Sequence, residues 1–489
     1  MLRPWDLHIV LERDDPVPAW QQIANVLIEA IRRGRLPPGT ALPGTRDLAA
    51  RIGVNRKTVQ QSYDELVAQG WLTTEATRGT FVSALLPVVE AETLHTPQPL
   101  PSHSVTLRGK APDLHLNLGG PNMLVFDDGA PDTRLIPAEL MARAYRRALL
   151  GASRRNQLGY GNPCGTLALR EAIAAMLRTD RGLDCSVENV CITRGSQMGI
   201  FLSARLFATA GDSLAIEQLS YPPAREAFAA AGANIISIGM DTSGMLLDEL
   251  ETICKVHPPN VIYITPHHQF PTTIVLPQER RVKLLALAEL YDFVIIEDDY
   301  DHEFHYTHRP MLPLASAYGF SRLAYIGSLS KLLSPSLRIG YLVGSPAMVA
   351  RAGTEICLID RQGDPATEIA VAELMTSGAL KSHARKVLRI YQRRGEFLVN
   401  LLKQELGDQV SVMMPAGGLA LWANFIPAIN TGNLAKHAAA LGLVITPGQA
   451  FVMNGHSSNG LRLGFGSMNE AELTLAVHKL KEAARNCTS

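Results

Sequence analysis

From about residue 119 to the C terminus, short β-branched runs alternate with segments of helical periodicity. This alternation is typical of a parallel sheet, because parallel neighbours need a long crossover connection between them. Helices then cover both faces of the sheet. We therefore predict an α/β domain over residues 119–489, built on a mostly parallel sheet. The predicted strands include 189–193 (NVCIT), 212–217 (DSLAIE), 260–265 (NVIYIT), 293–298 (FVIIED), 322–328 (RLAYIGS) and 338–344 (RIGYLVG).

The first 84 residues combine short helical patterns with Gly and Pro breaks. Residues 18–34 have apolar side chains at helical spacing, and Thr45 is placed to cap a second helix over 46–52. After a Gly-containing turn, a third helix starts at Arg56 and ends before Gly70. Two short helices joined by such a turn are typical of a helix-turn-helix. Residues 71–83 predict a hairpin that turns at Arg78-Gly79, which adds a wing.

Residues 85–118 are rich in Pro, Ser and Thr and have no sustained periodicity, which indicates a flexible linker. A chain of 489 residues is also too long for one ordinary core. We therefore predict a helical domain over 1–84, a linker over 85–118 and a larger domain over 119–489.

The formal net charge is zero, because 46 Lys and Arg balance 46 Asp and Glu, so the distribution of charge has to indicate any nucleic-acid partner. Between Arg32 and Lys57 the chain has seven basic residues and one acidic residue, Asp47. A helix that starts with Arg56, Lys57 and Thr58 offers phosphate a favourable helix dipole. The alternative is a helical cap or a dimerisation arm with solvated arginines.

Residues 42–83 (LPGTRDLAARIGVNRKTVQQSYDELVAQGWLTTEATRGTFVS) closely resemble the winged helix-turn-helix of the GntR family, and the resemblance extends over about 18–84. It implies that operator DNA is a partner and that the recognition helix enters the major groove. The residues that it places on DNA are Arg46, Arg56, Lys57 and Thr58, with Arg78, Gly79 and Thr80 on the wing.

The segment 328–343 (SLSKLLSPSLRIGYLV) has a lysine among small hydroxyl residues and an arginine seven positions later. This arrangement suits a cofactor that carries both an aldehyde and a phosphate. The amine of Lys331 forms a Schiff base, while hydroxyls and the Arg338 guanidinium bind phosphate oxygens. Taken alone, the pattern also describes a surface lysine near serines.

Other polar groups follow predicted strands, where ligands of open α/β sheets collect. Asp298 can pair with a pyridine nitrogen and Tyr300 with a ring hydroxyl, although both also suit a solvated strand end. A Gly-Ser turn opens a helix whose backbone N–H groups at Ser196 and Gln197 suit phosphate. Tyr221, before a Pro-Pro pair, can stack on a ring or fill a core.

From about Gly119 onwards the chain resembles the fold-type I aminotransferases, which implies pyridoxal 5′-phosphate as cofactor. The resemblance makes Lys331 the Schiff-base lysine and Asp298 the partner of the pyridine nitrogen. Arg462, in GLRLGFG, matches an arginine that binds a substrate carboxylate. Tyr160, in LGYGNPCG, matches a tyrosine that reaches the cofactor phosphate of the neighbouring subunit, which implies a homodimer. The remaining residues that it assigns to the cofactor are Ser196, Gln197, Ser328, Ser330 and Arg338 at the phosphate and Tyr221 on the ring.

One stretch departs from that family. Aminotransferases have an Asn-Pro-Thr-Gly element whose Asn bonds the ring hydroxyl, but here residues 265–273 read TPHHQFPTT, with Phe270 in the Asn position and Thr273 in the Gly position. His268 or Gln269 are candidate replacements. The absence of this Asn argues against efficient transamination more than it argues against cofactor binding. His267 and His268 have no third metal ligand nearby in the sequence, so we predict no metal site.

The order of winged helix, linker and aminotransferase-like domain resembles the MocR subgroup of GntR regulators. This resemblance implies a regulator that senses pyridoxal phosphate, an amino compound bound to it as an external aldimine, or both. It also implies control of genes of amine, amino-acid or vitamin B6 metabolism. One alternative is a working aminotransferase with an accessory DNA-binding head. Another is a sensor of pyridoxal phosphate alone, which would leave Arg462 without a ligand.

The six cysteines have no CxxC spacing and no metal-type cluster, which is typical of reduced, buried thiols. The N terminus lacks the basic-then-apolar pattern of a signal peptide, and no apolar run reaches the length of a membrane span. We therefore predict a cytoplasmic protein without a membrane partner.

Overall fold

The computed structural model contains two compact units, Met1–Gly109 and Lys110–Ser489, which we describe separately. The predicted linker 85–118 lies outside the described residues except for 85–87, so its boundaries stay a prediction. The structure describes residues 9–11, 16–75, 78–87, 119–120, 122–307, 311–426, 429–453 and 458–488.

The N-terminal unit has three helices and one hairpin among its described residues, namely α1 (Ala19–Arg32), α2 (Thr45–Ile52), α3 (Arg56–Ala68), β1 (Leu72–Glu75) and β2 (Gly79–Val82). The apolar stripes of the helices meet in a small core around Ile23, Leu27 and Leu66, each fully buried. The two strands pair antiparallel, with Leu72 opposite Val82. The predicted helix-turn-helix and hairpin are therefore present.

The start of α2 corrects one prediction. Thr45 is the first residue of α2 rather than its cap, because Gly44 is the last residue with extended backbone. The Thr45 hydroxyl instead accepts a hydrogen bond from Arg56 Nε at 3.3 Å. The start of α3 has a side-chain cap, since Asn55 Oδ1 accepts the backbone N–H of Lys57 at 2.9 Å.

The C-terminal unit alternates helices and strands over most of its length. Its helices are α4 (Ala138–Arg154), α5 (Leu167–Arg181), α6 (Ser196–Phe207), α7 (Pro222–Ala230), α8 (Leu247–Val256), α9 (Gln278–Tyr291), α10 (Leu314–Tyr318), α11 (Pro346–Ile359), α12 (Pro365–Thr376), α13 (Ala379–Leu406), α14 (Thr431–Ala440) and α15 (Glu470–Thr488). Its strands are β3 (Leu124–Phe126), β4 (Val190–Thr193), β5 (Ser213–Glu217), β6 (Asn234–Ile238), β7 (Met240–Asp241), β8 (Gly244–Met245), β9 (Val261–Ile264), β10 (Val294–Asp299), β11 (Leu323–Ser328), β12 (Gly340–Val343), β13 (Val410–Val412), β14 (Ala420–Phe425), β15 (Leu443–Ile445) and β16 (Gly460–Gly464).

Seven strands form the central sheet in the order β4-β12-β11-β10-β9-β5-β6. All six predicted runs are strands of this sheet, and the prediction of a mostly parallel α/β domain is confirmed. Only β12 runs against both of its neighbours, β11 and β4. The connection between β11 and β12 is short and contains no α-helix, so it cannot make the crossover that a parallel pair needs.

The last part of the unit forms a smaller lobe. Strands β13, β14 and β16 pair antiparallel, and α13, α14 and α15 belong to the same part of the chain. Within this unit β3, near the start, pairs in parallel with β15, so the beginning of the unit is part of the smaller lobe. Within the described part of the chain, no helix combines the length and the apolar character that a membrane crossing requires.

Candidate functional site

A cavity of about 280 Å³ lies at the carboxyl ends of the central strands of the C-terminal unit. This edge of an open α/β sheet is where ligands usually bind. The cavity brings together nine of the residues that the sequence assigned to one cofactor, although they come from segments far apart in the chain. These nine are Ser196, Gln197, Tyr221, Asp298, Tyr300, Ser328, Ser330, Lys331 and Arg338.

Lys331 lies in the turn after β11, and its Nζ is 4.3 Å from the centroid of the Tyr300 ring. Burial lowers the pKa of Lys331 below its ordinary value, while the Asp301 carboxylate acts in the opposite direction. A lowered pKa leaves more of the amine unprotonated at neutral pH, and only the unprotonated amine attacks a carbonyl carbon. The position therefore suits a covalent bond to an aldehyde.

Asp298 is the last but one residue of β10 and is buried, and it lines the same cavity. Tyr263 donates its hydroxyl hydrogen to Oδ2 at 2.7 Å, whereas Oδ1 is buried without a hydrogen-bond partner among the described residues. Burial raises the pKa of Asp298 to about 7. A buried acceptor without a donor is unfavourable. The free Oδ1 is thus suited to a ligand that brings an N–H group.

The opposite end of the cavity is suited to an anion. The first backbone N–H groups of α6, at Ser196 and Gln197, have no acceptor within the helix and lie at the positive end of its dipole. Gly195, just before them, has a φ of 75°. A Cβ on this glycine would lie 2.8 Å from Arg338 Nη2, so only glycine lets the guanidinium approach the helix start.

Two serines and an arginine complete the anion end. The Arg338 guanidinium donates to the Arg194 carbonyl oxygen at 2.7 Å, which leaves further N–H groups available. Ser328 Oγ accepts the backbone N–H of Ser330 at 3.1 Å, and Ser330 Oγ is buried without a partner among the residues described. A guanidinium, a hydroxyl and a helix start are together a set of donors that phosphate oxygens accept from.

Aromatic rings form the side walls. Tyr221 contacts Phe270 edge to face, with ring centroids 5.0 Å apart. The Tyr300 hydroxyl donates to the backbone oxygen of His268 at 2.8 Å, so this hydroxyl reaches a ring hydroxyl only as an acceptor. Phe270 itself lines the cavity where the aminotransferase pattern has Asn.

Neither proposed replacement for that Asn reaches the cavity. His268 Nδ1 is paired with Asp301 Oδ1 at 2.7 Å, and the Gln269 amide donates to the Leu219 carbonyl oxygen at 2.7 Å. Both side chains are buried and neither lines the cavity wall. A role for either side chain in place of the Asn therefore stays a prediction, since carboxylate and backbone partners engage both.

Arg462 lies behind the wall and not on it, with only 1% of its surface exposed. It donates to the backbone oxygens of Asp128 at 3.1 Å and Pro271 at 2.8 Å, and to the Tyr300 hydroxyl at 3.4 Å. Its guanidinium also lies 4.5 Å from the centroid of the Phe270 ring. Arg462 thus connects three separate segments next to the cavity.

Residues 121–480 match the family described as "Aminotransferase class I and II", which covers well over half of the chain. The chain belongs to this aminotransferase family. Residues 19–82 match the family described as "Bacterial regulatory proteins, gntR family", so the N-terminal unit carries a GntR-type helix-turn-helix domain.

Relatives that span nearly the whole chain combine both parts. The probable rhizopine catabolism regulatory protein MocR of Rhizobium meliloti is 28% identical over 97% of this chain and 95% of its own length. The HTH-type pyridoxine biosynthesis transcriptional regulator PdxR of Corynebacterium glutamicum is also 28% identical, over 98% of both chains. Among solved structures, the α-aminoadipate aminotransferase LysN of Thermus thermophilus, complexed with N-(5′-phosphopyridoxyl)-L-leucine, has a TM-score of 0.70 and 26% identity. The match covers 75% of this chain and 93% of the LysN chain.

The structure places Tyr160 away from the cavity of its own chain. Its side chain is 83% exposed, and its ring contacts the Arg361 guanidinium at 4.9 Å. Among the predicted cofactor and effector residues, Tyr160 and Arg462 are the two that do not line the cavity. A role for Tyr160 at a neighbouring subunit therefore stays a prediction.

Among the cavity residues that the sequence analysis did not predict, two carry polar side chains, Asp128 and Tyr263. Asp128 follows β3, a strand of the smaller lobe that was not predicted, so no predicted strand end marked it. Tyr263 lies inside β9 and reaches Asp298 only because β9 and β10 are neighbours in the sheet. Nothing in the local sequence around Tyr263 indicates that contact.

His267, one of the two adjacent histidines considered in the sequence, belongs to a buried ionic cluster. Asp299, which is fully buried, pairs with Arg181 and accepts the Tyr325 hydroxyl at 2.7 Å. Arg181 holds the pKa of Asp299 far below its ordinary value despite burial. His267 Nδ1 is 3.6 Å from Asp299, and burial keeps the pKa of this imidazole well below its ordinary value. The neutral imidazole of His267 and the carboxylate of Asp299, which is paired with Arg181, thus form part of the buried core.

In the GntR-type unit, the predicted DNA contacts lie in the first turns of α2 and α3 and on the hairpin. Arg46 on α2 and Arg56 and Lys57 on α3 are exposed, and Thr58 is half-buried. Arg78 is also exposed and pairs with Glu75 at 3.0 Å. The start of α3 thus presents two cationic side chains beside the N–H groups of a helix start, an arrangement suited to the DNA backbone.

Proposed function

We propose that the protein is a DNA-binding transcription regulator whose aminotransferase-like domain binds pyridoxal phosphate and senses an amino compound. The observation that carries the proposal is the presence, in one chain, of a GntR-type helix-turn-helix and a cavity that unites Lys331, Asp298 and Arg338. The named regulators MocR and PdxR align with nearly all of the chain. We also propose the domain boundaries 1–84, 85–118 and 119–489.

The aminotransferase family and solved relatives that bind phosphopyridoxyl compounds indicate pyridoxal phosphate as the cofactor. Its aldehyde forms a Schiff base with amines, and its pyridine ring withdraws electrons from the bound amine. The unpartnered buried Oδ1 of Asp298 and Oγ of Ser330 fit a ring nitrogen and a phosphate, respectively. The residues present thus match the donors and acceptors that this cofactor needs.

We assign the following roles to the chain's own residues. Lys331 attaches the cofactor, and Asp298 holds a proton at the ring nitrogen. Tyr221 packs on the ring face, and Tyr300, whose ring centroid is 4.3 Å from Lys331 Nζ, orients the lysine amine. The phosphate is bound by Arg338, Ser328, Ser330 and the first turn of α6, at Ser196 and Gln197.

The amino compound is proposed to carry a carboxylate for Arg462. The guanidinium has five N–H groups, of which three are engaged by Asp128, Pro271 and Tyr300. One N–H on each terminal nitrogen is left, and we propose that these two bind the carboxylate. We further propose a homodimer in which Tyr160 completes the neighbouring subunit's phosphate site, and target genes of amine, amino-acid or vitamin B6 metabolism.

Regulation requires that the amino compound bind two conformations of the dimer unequally, so that it shifts the spacing of the DNA-binding units. By reciprocity, operator DNA must then change the affinity for the amino compound by the same factor. Equal affinity with and without operator DNA would rule out this coupling.

The visible spectrum of the purified protein, titrated with amino acids and other amines, tests the sensor function. We expect the cofactor band to shift with one class of amine and then stay constant, with no keto acid released. Phe270 supports this outcome, because it stands where the aminotransferase pattern has an Asn. The ring hydroxyl of the cofactor therefore lacks the hydrogen bond that this Asn makes. Conversion of the cofactor to its amine form, with keto acid released, would favour the alternative of a working aminotransferase.

Arg56→Ala tests DNA binding. We expect it to weaken binding to operator DNA, selected by the wild-type protein from a random library, by about 1–3 kcal/mol if Arg56 reads a base. Fluorescence anisotropy measures this loss, and the cofactor spectrum should not change. Arg485→Ala, on the last helix of the other unit, is the matched control. An equal loss on unrelated DNA would mean that Arg56 contacts phosphate only.

A further inference from the structure

A second cavity of about 460 Å³ lies in the C-terminal unit and shares no lining residue with the first. The segment around Lys331 separates the two cavities: Ser330 and Lys331 line the first, whereas Leu329 and Leu332 line the second. Much of the wall is apolar, with Met176 from α5 and Leu388 from α13 among its residues. Its volume is in the range that holds a small organic molecule.

One part of this second cavity is polar. Arg181, His302, Glu303 and His305 line it, and each carries a buried atom without a hydrogen-bond partner among the described residues. The His302 side chain is 95% buried, since only 5% of it is exposed, and neither ring nitrogen makes a hydrogen bond. The unpartnered atoms are Arg181 Nε, both nitrogens of His302, both carboxylate oxygens of Glu303 and Nε2 of His305. The two Glu303 oxygens are acceptors when the carboxylate is ionised, and each imidazole nitrogen donates or accepts according to its tautomer, so a ligand with a donor group suits the Glu303 carboxylate.

The charged groups of the lining leave Glu303 without a cationic partner. The lining has three cationic side chains, of which Arg385 is exposed. Arg181 is neutralised by Asp299, and Lys381, which also lines the cavity, pairs with Asp180 at 2.9 Å. The base nearest Glu303 is His302, whose Nε2 is 3.4 Å from Oε1. In the described part of the chain Glu303 forms no ion pair with an Arg or a Lys. A buried carboxylate without such a partner is unfavourable until a cation or a proton neutralises it.

We propose that this second cavity binds a small apolar amine, whose ammonium group donates to Glu303 and His302 while its hydrocarbon part packs against α5 and α13. A primary ammonium has three donors, which suits the two unpartnered Glu303 oxygens and an acceptor nitrogen of His302. The proposal does not depend on the proposed regulatory function. The residues of the second cavity do not line the cofactor cavity and do not belong to the helix-turn-helix.

The test uses the full-length protein loaded with pyridoxal phosphate and a tertiary amine, N,N-dimethylhexylamine. A tertiary amine cannot form a Schiff base, so it does not react at Lys331. Its ammonium keeps the positive charge and one N–H, so this probe tests the contact with Glu303. Isothermal titration calorimetry is expected to show saturable binding with an unchanged cofactor spectrum. The neutral control 1-heptanol is expected to bind at least tenfold more weakly, because it lacks the charge that Glu303 requires.

Two variants locate the bound amine. Glu303→Gln is expected to weaken amine binding by about 10- to 100-fold, the range for losing a charge-assisted hydrogen bond. Ala384→Phe fills the cavity from α13 and is expected to abolish binding even with Glu303 intact. Glu396→Gln, an exposed position on the same helix, is the matched control for loss of charge.

The proposal is overturned if both variants bind the amine as the wild type does, or if 1-heptanol binds equally well. It is also overturned if the amine binds only cofactor-free protein, because the amine would then occupy the first cavity. If Glu303→Gln does not fold, Ala384→Phe decides alone.

Discussion

In the Lys331→Ala variant we expect covalent attachment of pyridoxal phosphate to fall from about one cofactor per chain to none, because no other amine lines the cavity among the described residues. Borohydride reduction followed by intact-mass analysis measures the attached cofactor directly. The fold should survive, since the variant removes a buried amine whose pKa is already lowered by burial. The phosphate contacts at Arg338 and α6 remain, so weak reversible binding should persist.

Lys386→Ala is the matched control, because Lys386 is exposed on α13 and lines neither cavity. It should label like the wild type. Covalent label on the Lys331→Ala protein, mapped by peptide analysis to another lysine, would show that the assignment of Lys331 is wrong. Unfolding of the variant, seen by circular dichroism, would instead show that Lys331 has a structural role.

The large domain was predictable because its signals are local. Each β-branched run is bounded by polar or Gly residues, and all six became strands of one sheet. Polar residues just after those runs, such as Asp298 and Lys331, lie at one edge because the carboxyl ends of parallel strands meet there. The antiparallel direction of β12 was not predicted, since an apolar run has the same pattern in a parallel and in an antiparallel strand.

Contacts between distant segments could not be predicted from local pattern. Arg462 donates to a carbonyl 334 residues away, and Arg181 pairs with an aspartate 118 residues away. In each case the sequence gives the arginine but does not show which residue it contacts. The same limit explains why Thr45 was assigned as a helix cap: its actual partner, Arg56, lies on the next helix.

Arg462→Met is expected to lower the free energy of unfolding by about 3 kcal/mol or more, because three hydrogen bonds from a charged donor are lost and their acceptors stay buried. Removing the buried charge offsets only part of this cost. Urea denaturation of the full-length protein measures the change. Arg393→Met is the matched control, since Arg393 is 77% exposed and its ion pair with Glu470 should contribute less than about 1 kcal/mol.

Arg462→Lys separates that structural role from the proposed carboxylate site. Lysine keeps the charge but cannot offer two parallel N–H groups. With pairs of amino acids and the amines that lack their carboxylate, the wild type should prefer the amino acid. Arg462→Lys should lose at least about tenfold of that preference, the equivalent of 1.4 kcal/mol. If the wild type shows no preference, Arg462 only braces the Asp128, Pro271 and Tyr300 segments, and the amino compound is recognised without its carboxylate.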